Sequence, residues 1–202
     1  LTGARLHIAH LSTRQALALV RTAKREGLPI TAEVTPHHLS LTDACWESYS
    51  TACKMNPPLR TREDVAALIE GLADGTIDLI ATDHAPHAVH EKDEDALTAP
   101  NGVIGLQTAV PLTLEAVHAG RVSPLRWADS LTAAPARMLG LDAGKLEVGA
   151  RADLCIIDPS KDWTWSAGGS RSLSSNVPPV SKLKGKVLMT WVEGRKLFED
   201  RP

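Results

Sequence analysis

The sequence predicts an α/β chain: parallel strands alternating with helices in the manner of a TIM-type barrel segment, followed by a small β-domain. Three observations carry this. Residues 5–11, 28–34 and 77–81 are short apolar or alternating runs, too short for helices, with helix-period segments between them. Each run releases polar groups at its carboxyl end, where α/β folds build their active sites. After Gly140 the texture changes from helical periods to short strands joined by Ser, Gly and Pro. A whole barrel needs eight strands and about 250 residues, whereas about three strands are visible in these 202 residues. The chain therefore reads as the second half of something longer.

The first strand is Arg5-Leu-His-Ile-Ala-His-Leu11. Alternation puts His7 and His10 on opposite faces while the strand lasts. His10 stands at its end, directly before Ser12-Thr13, which can cap a helix. His7 is expected to be structural and His10 a metal ligand. A helix follows over residues 13–26, where Ala16, Leu17, Leu19, Val20 and Ala23 recur at helical spacing and Gly27 suits the C′ position. Residues 28–34 form the next strand and lead into Thr35-Pro36-His37-His38. Strand, helix, strand is a crossover unit and implies parallel pairing. The adjacent histidines are expected to hydrogen-bond their loop rather than bind metal.

Residues 39–60 are irregular and rich in turn formers, a loop length that is often functional. They end in Lys54-Met-Asn-Pro-Pro-Leu-Arg60, where the prolines hold Asn56 extended and its amide can both donate and accept. Thr61-Arg-Glu-Asp64 opens a helix over residues 61–74, with Val65, Leu68, Ile69 and Leu72 on one face. It feeds the third strand, residues 77–81, which turns abruptly into Asp83, His84 and His87. Pro86 blocks any continuation of regular structure. An imidazole at His10 and a carboxylate at Asp83 suit Zn²⁺, with other first-row divalent ions also open. Two ligands do not complete a site.

Beyond it, residues 90–95 are charged and solvated, and Asn101-Gly102 makes a turn. Helices are expected over residues 106–119, 124–131 and 134–139. The β-domain begins near Lys145, with a turn and strand over 145–158 and a hairpin of 186–192 with 196–198. A Ser/Gly/Pro-rich connection, residues 167–181, lies between them, and Trp163, Trp165 and Trp191 are expected to be packing residues.

Composition excludes several function classes. With 43% apolar and 23% charged residues the chain is an ordinary globular one. A net charge of −2 gives no footprint for nucleic acid or an anionic membrane. No apolar run is long enough to span a bilayer, and residues from Leu1 onward lack a signal-peptide pattern. The three cysteines, Cys45, Cys53 and Cys155, are odd in number and scattered. That argues against a disulfide framework and fits a cytoplasmic setting.

Thr82-Asp83-His84-Ala85-Pro86-His87, followed by Glu91-Lys92 and Gly102-Val-Ile-Gly-Leu-Gln107, resembles the signature of the dihydroorotases, metal-dependent enzymes of the amidohydrolase superfamily. Lys54-Met-Asn-Pro-Pro-Leu-Arg60 and His7-Ile-Ala-His-Leu-Ser-Thr13 are similar to that family too. The likeness extends to Asp153-Leu-Cys-Ile-Ile-Asp158 and Leu183-Lys-Gly-Lys-Val187. The resemblance implies that residues 1–144 are the C-terminal portion of a (β/α)8 barrel, about strands six to eight with their following helices. Residues 145–202 would be part of a small β-sandwich. His10 falls on the metal-binding histidine of strand six, and Asp83 on the metal-binding aspartate of strand eight. Asn56 and His87 fall on residues that contact the ring and carboxylate of the substrate, and Asn101-Gly102 on a loop whose backbone touches it.

The implied reaction is reversible hydrolysis of dihydroorotate to N-carbamoyl-aspartate in pyrimidine biosynthesis, with Zn²⁺ as cofactor, two ions per complete site. Metal-activated water attacks the ring carbonyl, and Asp83 passes its proton to the leaving nitrogen. The His-x-His pair of strand one, the bridging carboxylated lysine or aspartate, the histidine of strand five and the carboxylate-gripping arginine have no counterpart here. Asn176-Val-Pro-Pro179 departs from the family's Asn-Thr-Pro-Phe. The chain is thus expected to be a C-terminal fragment, inactive unless joined to an N-terminal half. Alternatives are another cyclic-amide hydrolase, an allantoinase or hydantoinase, or a non-catalytic relative that scaffolds aspartate transcarbamoylase. Expected partners are the small-molecule substrate, a second copy in a homo-oligomer and aspartate transcarbamoylase, with neither nucleic acid nor membrane.

Overall fold

The computed structural model describes residues 2–200. Its first half alternates as expected: β1 (Leu6–Ile8), α1 (Arg14–Arg25), β2 (Ile30–Val34), α2 (Pro36–Ser40), α3 (Arg62–Ala73) and β3 (Leu79–Ile80). The three strands pair in parallel in the order β1-β2-β3, with His7 beside Thr31 and Val34 beside Ile80. Thr13 and Thr61 cap α1 and α3, each hydroxyl accepting from an amide three residues on. Such a cap is worth about 1 kcal/mol. The apolar faces then close on the sheet: Leu17 and Val20 of α1, Ala32 and Val34 of β2 and Leu68 and Leu72 of α3 share one core with Ile77 and Ile80. Asp64 of α3 accepts from the Arg14 amide at 2.9 Å, fastening the two helices at the end nearest the strands' carboxyl termini.

Four helices follow: α4 (Val89–Lys92), α5 (Ala109–His118), α6 (Pro124–Leu131) and α7 (Ala133–Leu139). Trp127 Nε1 of α6 donates to Thr113 Oγ1 of α5 at 2.8 Å inside the core. The last elements, β4 (Leu154–Thr164), β5 (Lys182–Val192) and β6 (Arg195–Glu199), form an antiparallel sheet in that order. Gly185, at φ +98°, lets β5 press on Leu114 of α5, where a Cβ would collide.

The structure departs from expectation in identifiable places. The turn and strand expected over residues 145–158 resolve into turns at Gly144 and Gly149, both at positive φ, and a strand that begins at Leu154. It then runs on to Thr164 through an irregularity between Asp158 and Asp162 that accommodates Pro159. The reading of the cysteines is corrected. Two 3-10 turns, Asp43–Ser48 and Thr51–Cys53, fold the loop back and bring the Cα atoms of Cys45 and Cys53 to 5.8 Å, where a disulfide joins them. Cys155 is free. Among the described residues no helix is long and apolar enough to cross a membrane.

Candidate active site at the carboxyl ends of the parallel strands

β1 and β3 flank β2 and deliver His10 and Asp83 just beyond their ends. Both residues have positive φ, +39° and +47°. Left-handed backbone is unfavourable for a residue with a Cβ, by about 1 kcal/mol or more. Tyr49 and Glu193 share it at φ +51° each, so the conformation alone does not mark a site; it describes the sharp turns that follow β1 and β3. The Leu11 amide donates to Glu33 O at 2.9 Å and holds the His10 turn against β2. His10 Nδ1 is buried with no hydrogen-bond partner. An orphaned imidazole nitrogen of this kind calls for a ligand. Asp83, by contrast, is exposed.

His7 is structural, as expected. Its Nδ1 meets Thr31 Oγ1 at 2.8 Å and its Nε2 meets Glu33 Oε2 at 2.9 Å, so Glu33 is spent on the neighbouring strand. His37 and His38 do more than the sequence suggests. Thr35 caps α2 and Pro36 opens it, a start signal at the end of a strand. This turns both imidazoles into the interior, each 2% exposed. His38 Nε2 faces Pro57 O at 3.0 Å, and a carbonyl only accepts, so Nε2 carries the proton. Its Nδ1 then accepts from Thr35 Oγ1 at 2.7 Å. His38 thereby ties β2 to the loop that presents Asn56, whose bond to Pro57 is cis.

Burial pushes His37 down to about 3, with His38 and His10 adding to the effect. His38 is lowered as well, first by burial, while the Pro57 carbonyl and Asp83 act the other way. His10 and Asp83 are therefore near enough for their charges to reach this pair. A sign follows for stability. An unfolded chain binds the His37 proton from about pH 6.5 downward, whereas the folded one refuses it until about 3. The contribution is complete above pH 6.5 and is lost as pH falls toward 3, at up to about 1.4 kcal/mol per pH unit. His37→Gln should flatten the acid limb of the denaturant midpoint between pH 6 and 4. An unchanged slope would contradict the assignment.

Three loops meet beside these residues. The Gly102 amide donates to Lys54 O at 2.8 Å, joining the Asn101-Gly102 turn to the Asn56 loop. His87 Nε2 donates to Asn101 O at 2.9 Å, and the Ala85 amide to Val103 O at 2.9 Å, joining that turn to the His87 loop. Gly102 sits at φ +108°, and a Cβ there would lie 2.5 Å from Ala85 Cβ, so only glycine permits the approach. Two lysines stiffen the arrangement. Lys54 Nζ donates to Leu97 O and Ala99 O, and Lys92 Nζ to Pro100 O and Gly102 O. Asn56 and Asn101 are both exposed. His84 turns away from the cluster, its Nδ1 accepting from the Gly105 amide at 3.1 Å.

The donor set fits a metal in kind and falls short in number. One imidazole with an orphaned nitrogen and one open carboxylate are ordinary ligands for a divalent ion. Among the described residues no group of three or more His, Cys, Asp or Glu converges to hold one. Sequence reasoning missed Thr35, Lys54, Lys92, Ser174 and Asn176 as parts of this region. For Thr35 a local signal exists in the Thr-Pro step, whereas Lys92 stands in the charged run 90–95, expected to be solvated, and is nonetheless buried. The last two lie far along the chain.

A sheet of parallel strands, with candidate ligands at the carboxyl ends of two of them and loops meeting beside those ends, is the arrangement in which α/β folds build their active sites. The chain belongs to the amidohydrolase family, whose model matches residues 2–197. It is 49% identical over 203 residues to a protein of Anaeromyxobacter dehalogenans named dihydroorotase, covering 99% of this chain and 47% of that one. A dihydroorotase of Syntrophotalea carbinolica is 50% identical, over 96% and 46% of the two chains. Among solved structures, L-hydantoinase (dihydropyrimidinase) from Arthrobacter aurescens superposes with a TM-score of 0.92 at 33% identity, over 98% of this chain and 45% of that one. Dihydropyrimidinase from Brevibacillus agri shares the fold at a TM-score of 0.89 and 23% identity. The chain spans about half the length of the curated relatives it matches.

Proposed function

We propose that this chain supplies the C-terminal part of a dihydroorotase, an enzyme that opens the cyclic amide of dihydroorotate to N-carbamoyl-aspartate and closes it again. The observation that carries the reading is the meeting of the Asn56, His87 and Asn101-Gly102 loops beside His10 and Asp83. On this reading β1, β2 and β3 are strands six to eight of a barrel within residues 1–144, and residues 145–202 belong to a small β-sandwich. The remaining metal ligands come from an N-terminal half, consistent with relatives about twice this length.

His10 Nδ1 and the Asp83 carboxylate would hold the metal, Zn²⁺ by the chemistry of the donors. When bound, the metal polarises the ring carbonyl and makes water nucleophilic at neutral pH. Asp83 accepts the proton of the attacking water and returns it to the departing amide nitrogen. His87, held by Asn101 O, and the Asn56 amide orient the ring and its carboxylate. Lys54 and Lys92 fix the backbone of residues 97–102, which carries the Asn101-Gly102 turn. The reading includes a cytoplasmic setting, in which a disulfide such as Cys45–Cys53 is uncommon.

The test uses the complete protein that carries this chain. Metal content and turnover are measured on dihydroorotate, hydantoin and allantoin. Two metal ions per chain and preference for dihydroorotate are expected. Preference for hydantoin would favour the second reading, which rests on the Arthrobacter aurescens enzyme's TM-score of 0.92. Absence of both metal and turnover would leave a scaffold for aspartate transcarbamoylase, whose test is co-purification with that partner.

A further inference from the structure

The connection between β4 and β5 reaches back into the loops described above. Asn176, 8% exposed, is its anchor. Its Nδ2 donates to Ala85 O at 2.9 Å and to Gly102 O at 3.2 Å, and its Oδ1 accepts from the His87 amide at 3.3 Å. The amide orientation follows from the partners, because two carbonyls can only accept and the His87 N–H can only donate. The Asn176 carbonyl takes the Ile104 amide at 2.9 Å. Ser174 reinforces it: its hydroxyl lies 2.6 Å from His87 O, 3.2 Å from His87 N and in contact with Asn176 Oδ1. One buried side chain thus spans the segment bearing His87 and the turn bearing Gly102.

We propose that Asn176 is a positioning residue that sets the spacing between the His87 segment and the Asn101-Gly102 turn, and so determines how tightly an anionic ring substrate is gripped. The substrate named here rests on the dihydroorotase reading; the geometry does not. Asn176 acts through His87 and Gly102. When Asn176 is removed Gly102 O keeps its second donor, Lys92 Nζ at 3.2 Å, and the Ala85 amide keeps Val103 O, so the turn survives, while the Ala85 carbonyl loses the Asn176 donor and the His87 amide an acceptor. Substrate capture is therefore affected more than the fold.

The experiment compares the complete wild-type protein with Asn176→Asp, Asn176→Ala, Ser174→Ala, His87→Ala and the double variant lacking both Asn176 and His87. Aspartate keeps the shape and sets an oxygen against two carbonyls. KM for dihydroorotate should rise at least about tenfold in Asn176→Asp, with kcat changed less than about threefold and metal content unchanged. The KM penalty of Asn176→Ala should largely vanish once His87 is already Ala, the coupling expected of a residue acting through a neighbour. Amide exchange supplies a readout that needs no activity: Asn176→Ala and the milder Ser174→Ala should speed exchange at His87, whose amide each deprives of a side-chain acceptor. A wild type inactive on dihydroorotate defeats the functional reading alone, and the exchange data then decide this proposal. Unchanged exchange, additive KM effects, or a fall in thermal stability with KM unmoved would overturn it.

Discussion

Replacing Asp83 by asparagine in the complete protein is expected to lower turnover of the cyclic amide by at least about 10³-fold, a general acid–base contribution alone being worth 10²–10⁴. The substitution is chosen for its backbone. Asp83 sits at φ +47°, a conformation asparagine tolerates better than most residues, so the change adds little strain. It keeps the side chain's volume while removing its charge and its capacity to carry the proton. Two losses should appear together: the proton relay, and affinity for the metal measured by elemental analysis of the purified protein. His10→Ala should lose metal as well, since it removes the nitrogen that is buried without a partner. Asp83→Asn protein that retains both full metal and activity within tenfold of wild type would end the assignment of Asp83 as ligand and proton carrier.

How much of this was legible follows from the range over which each signal acts. Helical spacing of Leu17 and Val20, or of Leu68 and Leu72, is a property of a dozen neighbouring residues, and α1 and α3 lie within a residue or two of expectation. The parallel pairing of β1 with β2 follows from one crossover, and His10 and Asp83 could be picked out because strand ends are where α/β sites form. The C-terminal end of β4 was misjudged because its continuation past Pro159, from Asp162 to Thr164, depends on pairing with β5, not on local propensity. The Cys45–Cys53 bond needed two 3-10 turns that leave no periodic trace. Asn176 was visible only as a departure from a family motif. Its bond to Ala85 spans 91 residues, and nothing in Ser174-Ser-Asn176 itself announces a partner at that separation.

Arg126→Met is expected to destabilise the protein by about 2–3 kcal/mol, read as a lowered denaturant midpoint, for a reason that links the core to the site. From α6 the Arg126 guanidinium donates to Leu72 O at 2.8 Å, Ile77 O at 2.5 Å and Asp78 O at 2.9 Å. Leu72 O is among the last carbonyls of α3, which no intrahelical amide can satisfy. The other two stand at the entry to β3, the strand that ends before Asp83. One side chain, 18% exposed, thus fixes where α3 stops and β3 starts. Hydrogen bonds from a charged donor contribute about 1.5–3 kcal/mol each when buried, and water reaching the partly open guanidinium reduces their sum. Methionine preserves the packing of the stem and leaves three carbonyls to find other donors. Asp129→Asn is the control. It breaks the ion pairs to Arg126 and Arg137 but leaves the three carbonyl contacts, and pairs this exposed are worth under about 1 kcal/mol. Equal shifts for the two variants would mean that the ion pairs, not the carbonyl clamp, hold α6 on the sheet. A larger shift for Arg126→Met, with turnover preserved below its unfolding range, would show that β3 is set in place from the end opposite Asp83.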